Sequence, residues 1–484
     1  MAVALADRMG SPSSPSLPLL DTALVAAIDA LIGTATTCGV ETGTILLAVS
    51  GGPDSLALLL GAAAWVRAGK TSSRLAVATV DHRLRPESAG EAAFVARLCA
   101  DLGMAHDTLV WDGAEHRGNL AAAAREVRYR LLLGHARKCG AGLVLTAHHQ
   151  DDQIETHCLA ERRGAAPIDA AGMRALRYLD VDVLLGRPFL EIPRTSLVEA
   201  VGRTGLRPVD DPSNRDPAYQ RVTIRQHLAA GRLDRKSVLE GLNHCRRQRE
   251  AADAALARTV AELSAADALA FHTDGAVRLS SKAYAALDDD IAWRLLSRLV
   301  VAVSGENAPP SGPAIQRMHH ALLAASADGE VVIRTLAGAL IMSTDAILFM
   351  REIGRRGIES LALEAAPRLV PGRWLAELGS ARPGRSPASR PHWTLFDGRF
   401  AVEIGAWQDV PGATLVPLAS LGKGNRRQLS QPVLVDGKRR PVAAAAAAAA
   451  RIGPDLPRLE CLSLSRFRLM RDLPETPSVQ PISR

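Results

Sequence analysis

Apolar residues in the first third of the chain follow two alternating patterns. Short unbroken aliphatic runs predict buried strands. Longer stretches with apolar positions every three to four residues predict helices. The runs are Thr44–Val49 (TILLAV), Arg74–Val80 (RLAVATV), Ala105–Trp111 and Gly142–Ala147 (GLVLTA). The helical stretches are Asp21–Cys38, Asp54–Arg67, Gly90–Leu102, Leu120–Lys138 and Asp151 to about Arg162. Buried strands alternating with helices predict an α/β fold, a Rossmann-like parallel sheet covered on both faces. Ligands of such sheets bind beyond the carboxyl ends of the strands. The chemically distinctive segments fall there: SGGPDS after the first run, DHRLR after the second, AHHQDD after the fourth.

The pattern then changes. Residues 164–230 are rich in turn formers, most densely at Asp210–Asp216, where Asp211 and Asn214 read as turn residues. Residues 231–305 read as mostly helical, PPSGP (Pro309–Pro313) is a break, and Ile315–Arg351 reads as a helix followed by short strands. The predicted organisation is a flexible Ser/Pro-rich arm (1–20), a catalytic domain (21–230), a mostly helical middle domain (231–377), a linker (378–392) and a small, basic, β-rich C-terminal domain (393–484). An unbroken alanine run, Ala443–Ala450, fits a helix or a low-complexity insertion.

Charge sharpens this division. The net charge of +7 is uneven: residues 351–484 hold 21 Lys/Arg against 12 Asp/Glu, leaving the rest at −2. A basic third on a neutral body suggests a polyanion partner, or simply an Arg-rich solvated surface. Aromatics are 4%, so widespread base stacking is not expected and nucleic-acid contacts would be ionic or polar. The six cysteines form no CxxC pair, which fits a reducing cytoplasm and argues against a zinc knuckle. No apolar run reaches the ~18 residues of a membrane span, and the N-terminus lacks a secretory pattern.

SGGPDS (Ser50–Ser55) lies at a predicted strand–helix junction. Glycines let backbone N–H groups approach an anion, and the helix N-terminus adds partial positive charge. Asp54 suits a helix cap or a magnesium ion bridging phosphates. Neither a Walker A motif nor GxGxxG is present. The hexapeptide resembles the pyrophosphate loop of the N-type ATP pyrophosphatases (PP-loop superfamily), which cleave ATP between its α- and β-phosphates to adenylate a substrate oxygen. The 49 residues before Ser50 are too few for a glutaminase domain. VDHRLRPESAGEA (Val80–Ala92), AAREVRYRLL (Ala123–Leu132), LTAHHQDDQIET (Leu145–Thr156), RPFLEIPR (Arg187–Arg194) and DDPSNRDPAYQRVTIR (Asp210–Arg225) resemble blocks of the tRNA(Ile)-lysidine synthetase family. RRGAAPIDAAGM (Arg162–Met173) is a looser match, and LFDGRF (Leu395–Phe400) is similar to a later family segment.

The resemblance implies ligation of L-lysine to C2 of the wobble cytidine in the CAU anticodon of isoleucine tRNA. Adenylation of the C2 oxygen releases pyrophosphate, and the lysine amine then displaces AMP. ATP and Mg²⁺ are the implied cofactors. The implied ATP contacts are Ser50, Gly51, Gly52, Pro53, Asp54 and Ser55, with Asp81 and His82 near the adenosine and Asp54 holding the metal. Asp54, Arg128, His148, Asp152 and Arg221 are the implied catalytic residues, while His149 reads as an oriented structural histidine. Arg125, Glu155 and Arg225 are candidates for binding lysine or tRNA; Glu155 can equally cap its helix. Two rivals stand beside this reading: a PP-loop tRNA thiolase, for which Cys158 is the cysteine nearest the motif, and a non-catalytic ATP- or tRNA-binding protein. Oligomeric state, a homodimer included, is left open.

Overall fold

A computed structural model describes residues 22–474 except 41, 84–86, 112–119, 210–219, 355–356, 373–391 and 423. The turn residues Asp211 and Asn214 and the predicted arm therefore lie outside the described residues. The chain divides into two compact units, Met1–Cys245 and Arg246–Arg484.

In the first unit, α1 (Thr22–Thr37), β1 (Thr44–Ala48), α2 (Pro53–Arg67), β2 (Arg74–Asp81), α3 (Ser88–Asp101), β3 (Ala105–Val110), α4 (Leu120–Cys139) and β4 (Leu143–Leu145) alternate as the hydrophobic pattern predicts. They are followed by α5 (Gln150–Arg162), β5 (Leu176–Tyr178), β6 (Leu184–Gly186), α6 (Arg194–Gly202), α7 (Gln220–Ala229) and the start of α8 (Arg235–Ala265). The sheet order is β3-β2-β1-β4-β6-β5. All pairings are parallel except β5 with β6. The chain leaves β1 towards β2 on one side, while β4 pairs on the other. The β1/β4 seam is thus the switch point, where such sheets open a crevice at the strand ends.

The apolar runs are strands because both of their faces are covered: Ile45, Leu46, Leu47, Leu143, Val144 and Leu145 are fully buried. Helix α2 is apolar nearly all round, and Leu56–Leu60 are fully buried. It packs under α1, where the Trp65 indole donates to Asp29 at 2.8 Å. Behind the sheet, Arg137 on α4 donates to both oxygens of Asp182 (2.9 and 2.7 Å) and to Asp180 (2.7 Å), fixing the β5–β6 hairpin.

The second unit contains β7 (Leu269–Phe271), β8 (Val277–Ser280), α9 (Ser281–Ala285), α10 (Asp289–Ser304), α11 (Gly312–Asp328), β9 (Val332–Leu336), β10 (Ala339–Ser343) and β11 (Ala346–Arg351). These strands form an antiparallel sheet, β7-β8-β11-β10-β9, against α10 and α11. The β7–β8 hairpin lies inside the stretch read as helical; its strands are short and lack a long period-2 signature. Beyond it come β12 (Leu361–Ala362), β13 (Trp393–Phe396), β14 (Phe400–Glu403), β15 (Thr414–Pro417), β16 (Pro432–Val435), β17 (Pro441–Ala444), α12 (Ala446–Ile452), β18 (Cys461–Ser463) and α13 (Ser465–Met470). Two small antiparallel sheets, β12-β15-β16-β17 and β13-β14-β18, share one apolar core. The alanine run is neither an insertion nor one helix. It ends β17 and opens α12, with Ala448 and Ala449 buried against Val416, Leu418 and Val433.

Gly186 at the end of β6 shows how closely the first unit is packed. A Cβ there would lie 2.6 Å from Leu145 Cδ2 and 2.8 Å from Leu31 Cδ2. Gly186→Ala is expected to lower stability by about 1–3 kcal/mol through overpacking. A lower urea midpoint with an unchanged slope is the expected observation; an unchanged midpoint would show that the core yields freely.

Candidate active site

The turn between β1 and α2 is closed by its own serines. Ser50 N–H donates to Ser55 Oγ (3.1 Å), and Ser55 Oγ donates to the Gly52 carbonyl (3.0 Å). Gly51 has φ +87°, and a Cβ there would lie 2.9 Å from Val209 Cγ2. Glycine is required on both counts. Pro53 opens α2, where its missing N–H costs nothing, and the free N–H groups of the first turn face the crevice.

Directly across the β1/β4 seam, α5 begins with a capping box. His149 N–H donates to Asp152 Oδ2 (3.1 Å), and Asp152 N–H donates to His149 Nδ1 (3.4 Å). The cap requires Nδ1 to be unprotonated, so the proton sits on Nε2. That atom lies 3.6 Å from Asp54 Oδ2 and 3.5 Å from Asp152 Oδ2. The buried His149 therefore ties the first turn of α2 to the first turn of α5. Burial raises the Asp54 carboxyl pKa, but the hydrogen bond and charge of His149, and then Arg194, outweigh it and hold it below its usual value. Conversely, burial lowers His149, while Asp54 and Asp152 outweigh it and raise it. Full protonation of His149, which the carboxylates favour, would forfeit the cap.

One cavity joins the two helix starts. It is lined by Ser50, Gly52, Pro53, Asp54 and Ser55, by Arg128 and Tyr129, by His148, His149 and Asp152, and by Arg194 and Arg225. Of the sequence-predicted residues, Gly51, Asp81, His82, Arg125, Glu155 and Arg221 are not in its lining. Glu155 is fully buried and bonded to Arg225, whose second nitrogen lies 3.3 Å from Oε2; Arg221 stands 3.7 Å away. Asp81, at the end of β2, accepts from Arg83 N–H at 2.9 Å, a local Asx-type turn. Asp151 is bound by both terminal nitrogens of Arg235 at 2.9 Å and so anchors the start of α8.

His148 accepts or donates one hydrogen bond, with Thr146 Oγ1 at 2.9 Å from Nδ1. Burial, then Arg187, Arg125 and Arg128, push its pKa well below the usual value, so it is neutral at pH 7. Sequence reasoning missed four residues of this region. Arg194 reaches Asp54 Oδ1 (3.3 Å). Gln153 clamps Met173 through both main-chain groups (2.6 and 2.9 Å), fixing the Arg162–Met173 loop. Tyr129 and Arg187 complete the set. All four lie within the motifs quoted above, but nothing in the sequence distinguishes them from their neighbours.

A magnesium ion fits this donor set. Asp54 Oδ1 is a buried acceptor placed where the glycine turn meets α2; Arg194 Nε stands 3.3 Å away but is not aligned for a hydrogen bond to it. Magnesium is commonly held by one or two carboxylates plus substrate phosphates and water. Among the described residues no cluster of three or more metal-ligating side chains occurs, so an all-protein metal cage is not indicated.

Comparison with known proteins agrees with this geometry. A family profile described as a PP-loop domain matches residues 21–231. The tRNA(Ile)-lysidine synthase of Bradyrhizobium diazoefficiens is 37% identical over 330 residues, covering 61% of this chain and 86% of that one. That of Methylobacterium nodulans is 41% identical over 308 residues, covering 62% and 87%. That of Rhodopseudomonas palustris is 39% identical over 330 residues, covering 65% and 92%.

His82 gives a pH-dependent expectation. Its ring packs edge-on to Trp111 (centroids 5.6 Å apart), and neither ring nitrogen has a hydrogen-bond partner. Burial, then Arg128, push its pKa down to about 4, against the opposing effect of Asp81. The unfolded imidazole takes up a proton near its ordinary pKa of 6.5, whereas the folded one does so only near 4. This contribution to stability is therefore complete above pH 6.5 and lost as pH falls towards 4. His82→Asn is expected to flatten the acid side of the stability–pH curve in urea titrations. A curve parallel to wild type would refute the assignment.

Proposed function

This chain belongs to the tRNA(Ile)-lysidine synthase family, and we propose that both half-reactions run in the single cavity at the β1/β4 switch point. The enzyme is an ATP-dependent ligase. It joins L-lysine to C2 of the wobble cytidine in the CAU anticodon of isoleucine tRNA, by way of an adenylated cytidine, releasing pyrophosphate and AMP. Codon reading thereby changes from AUG to AUA. The observation that carries the site assignment is the convergence of the Ser50–Ser55 turn and the His148–Asp152 turn on one cavity.

The roles we assign follow from the contacts. Main-chain N–H groups of Gly51, Gly52, Asp54 and Ser55 and the α2 dipole receive the departing pyrophosphate. Ser55 shapes the turn, since its hydroxyl is engaged within it. When bound, Mg²⁺ would supply neutralisation of phosphate charge, and Asp54 is the residue that would hold it. Arg128 faces the α-phosphate, with Arg194 and Arg225 on the carboxylate side of the cavity. His148, neutral and oriented by Thr146, hydrogen-bonds the adenylate. Asp152 faces the lysine. Asp81 and His82, at the end of β2, are assigned to the adenosine side. Glu155, buried under two arginines, positions Arg225 instead of binding lysine. Arg125 packs on Tyr129. In the second unit, the exposed Arg426, Lys438, Arg439, Arg451 and Arg458 supply tRNA phosphate contacts that weaken with salt. We place the reaction in the cytoplasm, where tRNA and ATP meet.

The thiolase rival needs a reactive cysteine. Cys158 packs with Ile154, Leu159 and Ile224, and burial pushes its thiol pKa up. A thiol so placed is core packing, not a sulfur carrier.

Incubation with total tRNA, ATP, Mg²⁺ and radiolabelled lysine is expected to put label into acid-precipitable RNA that survives mild alkali. Asp54→Ala is expected to reduce it by about 100-fold or more, and Cys158→Ala to leave it intact. Loss of all label under mild alkali would mean aminoacyl ester only, and the reading would fail. Separately, Glu155→Gln is expected to lower kcat by about tenfold or more with KM for lysine little changed, as for a residue that positions a catalytic arginine. A rise in KM for lysine alone would return Glu155 to the lysine site.

A further inference from the structure

Two arginines in the first unit are almost fully buried, and they differ in what surrounds them. Arg137 is matched by the Asp180 and Asp182 carboxylates, which raise its pKa. Arg187, 3% exposed, has no carboxylate partner among the described residues. One terminal nitrogen donates to the Arg174 carbonyl (2.8 Å), Nε has no partner, and burial pushes the pKa down to about 10. Its remaining bond is to the Tyr129 hydroxyl. The guanidiniums of Arg125 and Arg177 lie over the Tyr129 ring, 5.1 and 5.5 Å from its centroid. Arg128 stands next in sequence on the same cavity wall. Burying an uncompensated cation is costly. Four guanidiniums gathered without a carboxylate among the described residues suit an anion that arrives with the substrate.

Hydrogen-bond direction narrows the role. Guanidinium groups only donate, so the phenolic oxygen accepts from Arg187. The Tyr129 O–H then has no acceptor among these arginines and remains available to a group in the cavity that Tyr129 lines. Burial raises the phenol pKa, but Arg125, Arg187 and Arg177 outweigh it and lower it, which strengthens the donor. The arriving anion is a phosphate ester. It comes either from the adenylate or from the tRNA backbone. The shared cavity with the glycine turn favours the adenylate.

We infer that Tyr129 is a catalytic hydrogen-bond donor to the phosphate of the departing AMP, and that Arg187 is the positioning residue that holds its hydroxyl in place. The inference rests on the lysidine-forming reaction proposed above. In the second half-reaction the neutral ε-amine forms the N–C2 bond. The C2–O bond breaks, and its electron pair passes to the phosphate oxygen of AMP. The two protons lost from the original ammonium go to solvent, and Tyr129 keeps its own proton throughout. Its hydrogen bond shortens as negative charge grows on the leaving oxygen, which is when a preorganised donor is most effective.

The test uses the full chain, an isoleucine tRNA transcript and α-labelled ATP under single turnover. Adenylated tRNA is measured without lysine, and AMP release is measured after lysine is added. Tyr129→Phe is expected to slow AMP release about 100-fold and adenylate formation less than about tenfold. Arg187→Met is expected to reproduce this imbalance, and Arg187→Lys to restore it in part, in proteins whose melting curves match wild type. Equal slowing of both steps in Tyr129→Phe, or unchanged AMP release, overturns the inference. Weaker tRNA binding with a shallower salt dependence and normal AMP release would assign the anion to the tRNA backbone and also overturn it. Wild-type protein that forms no adenylated tRNA would instead refute the reaction assignment on which the inference rests.

Discussion

The polar link from Asp54 through His149 to Asp152 holds the two halves of the site together. A parallel sheet with both faces covered can expose polar groups only at its strand ends. Here Leu47 of β1 pairs with Leu145 of β4, so the turns that follow emerge side by side. Two helix N-termini then point into one crevice, each with partial positive charge. The α5 start is satisfied by its own capping box. The α2 start is left open by a glycine and a proline, neither of which offers a side-chain cap. His149 serves the capped end and reaches towards the open one. The open end is therefore available for an anion, while its carboxylate, Asp54, is held in a fixed place beside it.

Much of this was legible in the sequence because parallel strands and their turns are local features. The apolar runs of β1, β2 and β4 lie where the pattern placed them, and the two motif turns face each other because they follow neighbouring strands. Partnerships across long sequence separations were not legible. Glu155 has the residue type of a ligand group, yet it is fully buried beneath Arg225, seventy positions away. Arg187 and Arg194 flank one short motif, and nothing there says that one is buried behind the cavity and the other lines it. The alanine run carried no periodicity at all. Only the packing of Ala448 and Ala449 against β15 and β16 divides it into strand and helix.

The basic C-terminal third illustrates the same limit with charge. Its excess was read as one property, but several of its cations are engaged within the unit. Arg351 and Arg399 pair with Asp397, and Arg427 pairs with Asp274. Arg468 is buried and donates to the carbonyls of Val301, Gly398 and Glu306. From α10, Arg298 donates in the other direction, to the carbonyls of Leu469 and Arg471. These arginines lock α13 onto α10 and are not available to a polyanion. Among the described residues, the charge free to meet a polyanion is therefore smaller than the count suggests. Arg426, Lys438, Arg439 and Arg458 are among those that stand exposed.

Charge is also distributed unevenly inside the catalytic cavity, and this bears on how one pocket serves two successive reactions. Asp54 and Asp152 meet His149 on one side, while Arg128, with Arg125 and Arg187 near it, bounds the other. Burial, and then the nearby Arg187, Arg125 and Arg128, keep His148 from holding a proton at neutral pH. The same field would disfavour the charged form of any ammonium brought against that wall. It would favour a phosphate there, and it would favour that phosphate most when its negative charge is greatest, as the AMP ester departs. Next to Asp152 the preference is reversed, and an ammonium is retained as a cation. On the site assignment proposed above, a lysine bound on the acidic side and reacting on the basic side would lose the preference for its charged form as it approaches the cytidine.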